Sequence, residues 1–155
     1  MYNDLGNGVI KDQRTGLFWE KKSDDGSIHD KDNTYTWSTG DNSFDGTAAT
    51  VFLATLNTAP CFAGASDWRL PTLNELETIR DLGNVNPVVP AAFNTGCTAG
   101  CTVTTCSCTR SSGYWSSSTS AGGPGDAWLV YFNAGYVDDF FKTNSFFVRA
   151  VRGGS

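Results

Sequence analysis

The strongest constraint on the fold is the run of residues 113–155, which contains two Trp and much of the chain's Phe and Tyr. Apolar and polar residues alternate in its middle, which is the period of a half-buried strand. The alternation places Trp128, Val130 and Phe132 on one face, and Ala127, Leu129 and Tyr131 on the other. A hairpin turn is predicted at 133–135, because Gly135 tolerates positive φ. Two further strands are then expected, over 136–141 and 146–152.

The size of the chain favours one domain, residues 1–155. Its charge and its lack of long apolar runs argue against nucleic acid and membranes as partners. A length of 155 residues is enough to bury a core. The net charge of -5 argues against nucleic-acid binding, which requires a basic face. No apolar run approaches the roughly 20 residues that span a bilayer, so no membrane insertion is expected.

The amino terminus at Met1 has no visible signal peptide. An extracellular, cell-surface or virion location would therefore require a leader that has been removed, or assembly into a larger particle.

The five cysteines are predicted to form disulfides, not a metal site. Four of them crowd into a loop-like stretch of Thr, Ser and Gly, with spacings unlike those of paired zinc ligands. The odd count leaves at least one thiol unpaired or intermolecular, and the sequence leaves the connectivity open. The disulfide candidates are Cys61, Cys97, Cys101, Cys106 and Cys108.

The first third of the chain predicts two short strands and a polar loop. The strands cover 8–12 and 17–21 and flank a turn. In the acidic loop 23–33, the spacing of carboxylates does not match an EF-hand, so no calcium site is predicted. We expect His29 in this loop to be a surface residue.

Two amphipathic helices are predicted. Residues 46–57 have apolar side chains at helical spacing, and Pro60 lies just past their end. The second helix begins with a capping box formed by Thr72 and Glu75, and Gly83 is placed to end it in the left-handed conformation. The order of elements predicts an α+β domain, with both helices packed against one side of a mostly antiparallel sheet and with long loops.

Several segments together resemble the Lcl C-terminal domain family of bacterial and phage proteins. They are TGLFWE, LNTAPCFAGASDWRLPTLNEL, YWSSST, AWLVYF and FVRAVRGG, in this order. The resemblance implies a C-type-lectin-like fold, related to that of formylglycine-generating enzymes but without their catalytic cysteines. It further implies a non-enzymatic recognition module without a cofactor, which meets a protein or glycan on a cell or virion surface and can form oligomers.

The chain also resembles the variable proteins of diversity-generating retroelements, which use the same fold. In those proteins, adenine-directed mutagenesis alters residues on exposed C-terminal strands and loops. Carried over to this sequence, the resemblance implies a ligand-binding surface made of Ser120, Gly122, Asp126, Leu129, Tyr131, Ala134, Tyr136, Asp138, Asp139, Phe140, Phe141 and Phe146.

Other aromatic and basic residues are assigned to the scaffold, because they lie in or beside apolar patterns. Arg69 is expected to form an ion pair with Asp67 or to hold the start of the second helix. The scaffold set is Trp68, Arg69, Trp115, Trp128 and Arg149.

The chain departs from its relatives in two respects. Where some relatives have a cysteine in the first helix and another in the last strand, this chain has Phe52-Leu53 and Ala150, so hydrophobic packing must replace a disulfide. The basic surface of relatives that bind sulfated polysaccharides is also missing.

Three functions remain open. They are a recognition module with a variable surface, a carbohydrate-binding adhesin of fixed sequence, and an enzyme of the oxidase type that uses Cys106 and Cys108.

Overall fold

The computed structural model describes residues 1–154, which contain nine short strands and two short α-helices. The strands are β1 (Tyr2–Asp4), β2 (Val9–Asp12), β3 (Phe18–Glu20), β4 (Tyr35–Thr36), β5 (Gly113–Thr119), β6 (Asp126–Tyr131), β7 (Tyr136–Phe141), β8 (Ser145–Phe146) and β9 (Val151–Arg152). The helices are α1 (Ala54–Asn57), which continues a π-helical segment (Ala48–Leu53), and α2 (Leu73–Glu77). Single 3₁₀ turns occur at Phe62–Gly64 and Ala91–Phe93.

The strands form three antiparallel sheets. The first has the order β1-β2-β3-β9, so the last strand returns to pair with a strand from the start of the chain. The second contains β4 and β8, and the third has the order β5-β6-β7. Together with the two short helices and long loops, this is the α+β, C-type-lectin-like architecture that the sequence predicts.

The predicted third strand of the C-terminal run, residues 146–152, is wrong as a single element. Phe146 belongs to β8, whereas Val151 and Arg152 form β9 in a different sheet. Between them the Arg149 guanidinium is buried and donates hydrogen bonds to the backbone oxygens of Glu20 and Cys108. A buried guanidinium needs such acceptors, so the chain leaves one sheet and crosses to the other at this residue.

The two predicted helices are present, and the capping box is confirmed. The Thr72 side chain accepts a hydrogen bond from the backbone of Glu75, and the Glu75 carboxylate accepts one from the backbone of Thr72. The predicted end at Gly83 is wrong. The helix ends at Glu77, and Gly83 instead donates its N–H to the Asp81 carboxylate, within a separate turn.

The helices contribute to two hydrophobic clusters, on opposite faces of the β5-β6-β7 sheet. Phe52 and Leu56 share a cluster with Leu129, whereas Leu76 shares a cluster with Val130. Because successive side chains of a strand point to opposite faces, β6 is buried on both. The prediction that both helices pack against one side is therefore corrected. Phe52, Leu53 and Ala150 lie in one cluster, as expected if packing replaces a disulfide.

Four of the five cysteines form two disulfides, Cys97–Cys108 and Cys101–Cys106. The prediction that Cys61 is a disulfide candidate is not met, because its thiol is free and its Sγ donates to the backbone oxygen of Asn57. Two disulfides within one loop are typical of proteins that fold in an oxidising compartment. Within residues 1–154, no helix has the length and apolar character needed to cross a membrane.

A buried carboxylate, Glu20, connects β3 to two distant parts of the chain. One oxygen lies 3.2 Å from the Lys22 ammonium and 2.7 Å from Nδ1 of His29, and the other accepts the Ala150 backbone N–H. Burial by itself would raise the pKa of Glu20, but Lys22, His29 and the Ala150 N–H hold it below its ordinary value. His29 was expected at the surface, and its side chain is instead 13% exposed and contacts Phe62.

Replacing Glu20 with Gln is expected to destabilise the fold by about 3–5 kcal/mol, because the Lys22 ammonium would remain buried without its counter-charge. Urea denaturation at pH 7 measures the loss. The matched control is Glu77→Gln, which breaks a half-exposed pair with Arg80 and should cost about 0.5 kcal/mol or less.

The pH dependence of stability, compared between the wild type and Glu20→Gln, tests the ion pair of Glu20. Since the pKa of Glu20 is lowered in the folded state, its contribution is present at neutral pH and is lost as the pH falls through that value. The stability difference between the wild type and Glu20→Gln should therefore shrink in acid. A difference that stays constant with pH would contradict the ion-pair explanation.

Candidate ligand-binding surface

Strand β7 lies at the edge of its sheet, and its alternate side chains form the start of an exposed surface. It pairs with β6 so that Tyr136 lies opposite Tyr131, and Asp138 opposite Leu129. Residues directly opposite in an antiparallel pair point to the same face. Tyr136, Asp138 and Phe140 therefore line one face of β7 at successive alternate positions.

Four aromatic rings form a continuous chain of contacts on this face. Tyr136 stacks on Tyr131, with ring centroids 4.7 Å apart and planes 10° from parallel. Tyr131 meets the edge of Phe146 at 6.3 Å, and Phe146 meets Phe140 at 5.3 Å. The chain of rings begins and ends on β7, on either side of Asp138. We call Tyr131, Tyr136, Asp138, Phe140 and Phe146 the aromatic face.

On its inner side, the aromatic face packs against buried residues. Phe146 lies on β8, which pairs with β4, and its ring contacts the fully buried Trp115 at 5.1 Å. The indole N–H of Trp115 donates to the backbone oxygen of Tyr35. The inner rings are thereby fixed by packing, while the outer ones face solvent.

Gly113 allows the inner rings to lie against the backbone of β5. A Cβ atom at this position would come within 2.9 Å of the Tyr131 ring and 3.2 Å of the Phe146 ring. Any other residue would therefore displace both rings. Sequence reasoning missed Gly113, because nothing local distinguishes it from the other 16 glycines.

The outer members of the surface are unusually accessible for large apolar side chains. Tyr136 is 48% exposed, Phe140 39% and the neighbouring Phe141 64%. Aromatic rings concentrated in this way on one strand mark a binding site more often than an ordinary surface. Within residues 1–154, no group hydrogen-bonds to the Tyr131 or Tyr136 hydroxyl.

Asp138 supplies the negative charge at the centre of the face. Its Oδ1 accepts the backbone N–H of Asp139 at 2.9 Å, and no basic side chain of residues 1–154 pairs with it. Burial, followed by the charges of Tyr136 and Asp138, raises the pKa of Tyr131. Asp138 thus lies near enough to the Tyr131 phenol for its charge to contribute to this shift.

The structure divides the twelve predicted ligand-binding residues by exposure. Six are exposed: Gly122, Ala134, Tyr136, Asp138, Phe140 and Phe141. Four are half-buried: Asp126, Tyr131, Asp139 and Phe146. Two are buried: Ser120 and Leu129.

The placement of Leu129 and Ser120 on the outer surface is wrong. Leu129 is in the central strand of its sheet, where both faces are covered, and it belongs to a core cluster. Ser120 donates its hydroxyl to Asp139 at 2.6 Å and accepts the N–H of Gly122. These bonds close the turn between β5 and β6 and bury Ser120.

The exposed residues also separate onto two faces of β7. Asp139 and Phe141 alternate with the aromatic face and point to the opposite side, where Asp126 lies across from Phe141. Ala134 is at the tip of the hairpin, where Gly135 has the predicted positive φ of 84°. The surface inferred from sequence is therefore two smaller surfaces that share an edge strand.

Four of the five predicted scaffold residues are held by internal contacts. Trp68 and Trp115 are buried, and Arg149 donates to buried carbonyls. Arg69 does not pair with Asp67. It makes two hydrogen bonds to the Glu75 carboxylate, at 2.7 and 2.8 Å, and so holds the start of α2.

Trp128 is the exception among the scaffold residues. Its side chain is half-buried and lies in neither core cluster of residues 1–154. The alternation correctly places Trp128 on the same face of β6 as Val130. The core cluster on that face covers Val130 but does not reach Trp128. Trp128 therefore shares the Asp139 side of the sheet with partial access to solvent.

Two other groups of charged residues lie close together. The carboxylates of Asp24, Asp30 and Asp32 lie within 4.8 Å of one another, but the Lys31 ammonium contacts two of them. A cleft of about 480 Å³ is lined by Lys31 and Arg110 among others, and both cations are engaged by Asp32. In the first group the remaining carboxylate, Asp30, is buried and accepts the backbone N–H groups of Gly26 and Asp32. In the second group both cations already have a carboxylate partner.

Comparison with known proteins agrees with the fold. The model of the Lcl C-terminal domain family matches residues 8–152. No curated protein matches the chain. The family match covers nearly the whole chain, from β2 to β9, and includes every element that builds the aromatic face. The chain therefore belongs to the Lcl C-terminal domain family.

Proposed function

We propose that the protein is a non-enzymatic recognition module whose aromatic face binds a protein or glycan on a cell or virion surface. The observation that carries the proposal is the continuous chain of rings around Asp138, held from below and exposed on its outer side. Rigid aromatic side chains bind with little loss of conformational entropy, which is why they dominate many recognition surfaces.

The contacts around Cys106 and Cys108 support a non-enzymatic function. Both are in disulfides, with Cys101 and Cys97 respectively, so neither offers a thiol for oxidase chemistry. The aromatic face itself contains one carboxylate and two phenols, and within residues 1–154 the carboxylate accepts a backbone N–H and contacts no hydroxyl or thiol that it could activate as a nucleophile.

We further propose that the exposed positions of this surface are varied by a diversity-generating retroelement. Ala134, Tyr136, Asp138, Phe140 and Phe141 are exposed, so substitutions there leave the core packing intact. Ser120 and Leu129 are removed from the proposed variable set, because exchanging them would disturb buried contacts.

A carbohydrate-binding adhesin of fixed sequence is the second candidate. It is favoured by the parallel stack of Tyr136 on Tyr131, which leaves the outer side of the Tyr136 ring facing solvent. Such a ring can pack against the apolar side of a sugar, with its hydroxyl free to hydrogen-bond.

Replacing Tyr136 and Phe140 together with Ala should abolish recognition and lower the free energy of unfolding by about 2 kcal/mol or less, below the cost of truncating two buried rings, since the two residues are 48% and 39% exposed. Binding is measured with labelled protein on a glycan array and on intact host cells, and stability by urea denaturation. The control replaces Leu5 and Val85, which are exposed elsewhere. Equal binding by both double variants would exclude the aromatic face.

Gly113→Ala should weaken recognition without removing any ring, because the added Cβ displaces Tyr131 and Phe146. The same binding assays measure the effect, and aromatic NMR resonances of the two rings report the displacement. Unchanged ring resonances together with unchanged binding would show that the inner rings are not fixed as described.

The source genome tests the variation proposal. A second copy of the C-terminal coding segment that differs only at adenines, near a reverse transcriptase gene, is expected. The differences should fall in the codons of the exposed positions and spare those of Trp115 and Arg149. Finding no such copy would favour the fixed-sequence adhesin.

A further inference from the structure

We infer that the ligand of the aromatic face is cationic, namely a lysine or arginine side chain on a partner protein, which meets Asp138 and the rings around it. The inference rests on the proposed function, since it names the ligand chemistry of the same surface. Three observations on charge lead to it.

The first observation is that the protein's own cations are used elsewhere. Ten of the eleven Lys and Arg side chains contact a carboxylate, a carbonyl or a hydroxyl outside the aromatic face, and the eleventh, Lys11, lies over Phe18. Within the described part of the chain, none of the eleven forms an ion pair with Asp138 or lies over a ring of the aromatic face.

The second observation concerns the aromatic rings themselves. Cations of this chain lie over the rings of Tyr2, Phe18, Trp37, Phe52, Phe93 and Phe147. Among the described residues, no such contact involves Tyr131, Tyr136, Phe140 or Phe146. The negative faces of these four rings therefore meet no cation from residues 1–154, and two of the rings, Tyr136 and Phe140, are exposed to solvent.

The third observation is the unpaired acid. Asp126, Asp138 and Asp139 all lie in the hairpin, and none forms an ion pair within residues 1–154. Asp138 is exposed and has aromatic rings on either side of it along β7. A carboxylate flanked by aromatic faces attracts a cation by charge and by the ring quadrupoles together.

The shape of the site favours a side chain over a metal ion. The aromatic face holds one carboxylate, whereas hard divalent cations take six or more oxygen ligands. A lysine or arginine side chain can lay its apolar stem on the rings and place its charge beside Asp138. The chemistry is thus that of a basic segment on a protein surface.

The experiment uses three peptides of equal length, each with three identical residues separated by Gly-Ser. These residues are lysine, arginine or acetyl-lysine, so that only the last peptide is uncharged. Binding to the full chain is followed by NMR, through the resonances of Tyr136 and Phe140, at low and at physiological salt. The charged peptides should shift these resonances, more strongly at low salt, and the acetylated peptide should not.

Two variants separate the charge of Asp138 from the overall charge of the protein. Asp138→Asn should weaken binding of the lysine peptide about fivefold to tenfold. Asp41→Asn removes the same charge from an exposed loop, and its Oδ1 likewise accepts a backbone N–H. It should change the affinity by less than about twofold. Phe140→Leu keeps an apolar side chain but removes the quadrupole, and should weaken binding about threefold.

Several results would overturn the inference. They are equal binding of lysine and acetyl-lysine peptides, equal effects of Asp138→Asn and Asp41→Asn, or shifts confined to residues outside the aromatic face. If those results appear while Tyr136→Ala/Phe140→Ala still abolishes binding to cells or glycans, the recognition function stands and only the cationic ligand is wrong. If neither cells, glycans nor peptides bind, the proposed function fails as well.

Discussion

The buried carboxylate of Glu20 is the interaction on which the arrangement of the chain depends. It joins β3 to the segment that leads into β9 and to His29 in the acidic loop. The backbone oxygen of Glu20 accepts a hydrogen bond from the Arg149 guanidinium. The same guanidinium donates to the backbone oxygen of Cys108 in the disulfide loop. Four segments that are distant in sequence thus meet at one buried group of charges. Such a group specifies a single arrangement, because any other would leave a charge buried alone.

The same group of charges holds the segment of chain that follows Phe146. Arg149 fixes the C-terminal segment, and Phe146 lies three residues earlier, over Gly113 and against Trp115. The ring of Phe146 in turn contacts Tyr131 and Phe140. The exposed rings of the aromatic face thus pack against inner rings that contact the buried core. Substitution of the outer rings is expected to leave these inner contacts intact.

Local signals in the sequence predicted the parts of the fold that are local. The capping box at Thr72 and the hairpin at Gly135 depend on residues a few positions apart, and both are present. The burial of Leu129 could not be predicted, because the alternating pattern of β6 is that of a strand with one buried face. The second face of β6 is covered by residues distant in sequence, such as Phe52 and Leu56. The break between β8 and β9 depends on the acceptors that Arg149 finds 129 and 41 residues away. Within the candidate site, the bounds of β7 were predicted correctly. This strand lies at the edge of its sheet, so the exposure of its side chains depends less on distant parts of the chain.

The hydrogen bond from the Asp139 backbone to the Asp138 carboxylate has a consequence for self-association. A bare sheet edge offers its unpaired N–H groups as a template for another strand, and this is a common route to aggregation. Here a side chain occupies one of those groups, and its charge repels the same edge of a second copy. An apolar residue in place of Asp138 would remove both the acceptor and the charge, whereas Asn would keep the acceptor and lose the charge. A carboxylate at position 138 is therefore expected to limit strand pairing between two copies at this edge.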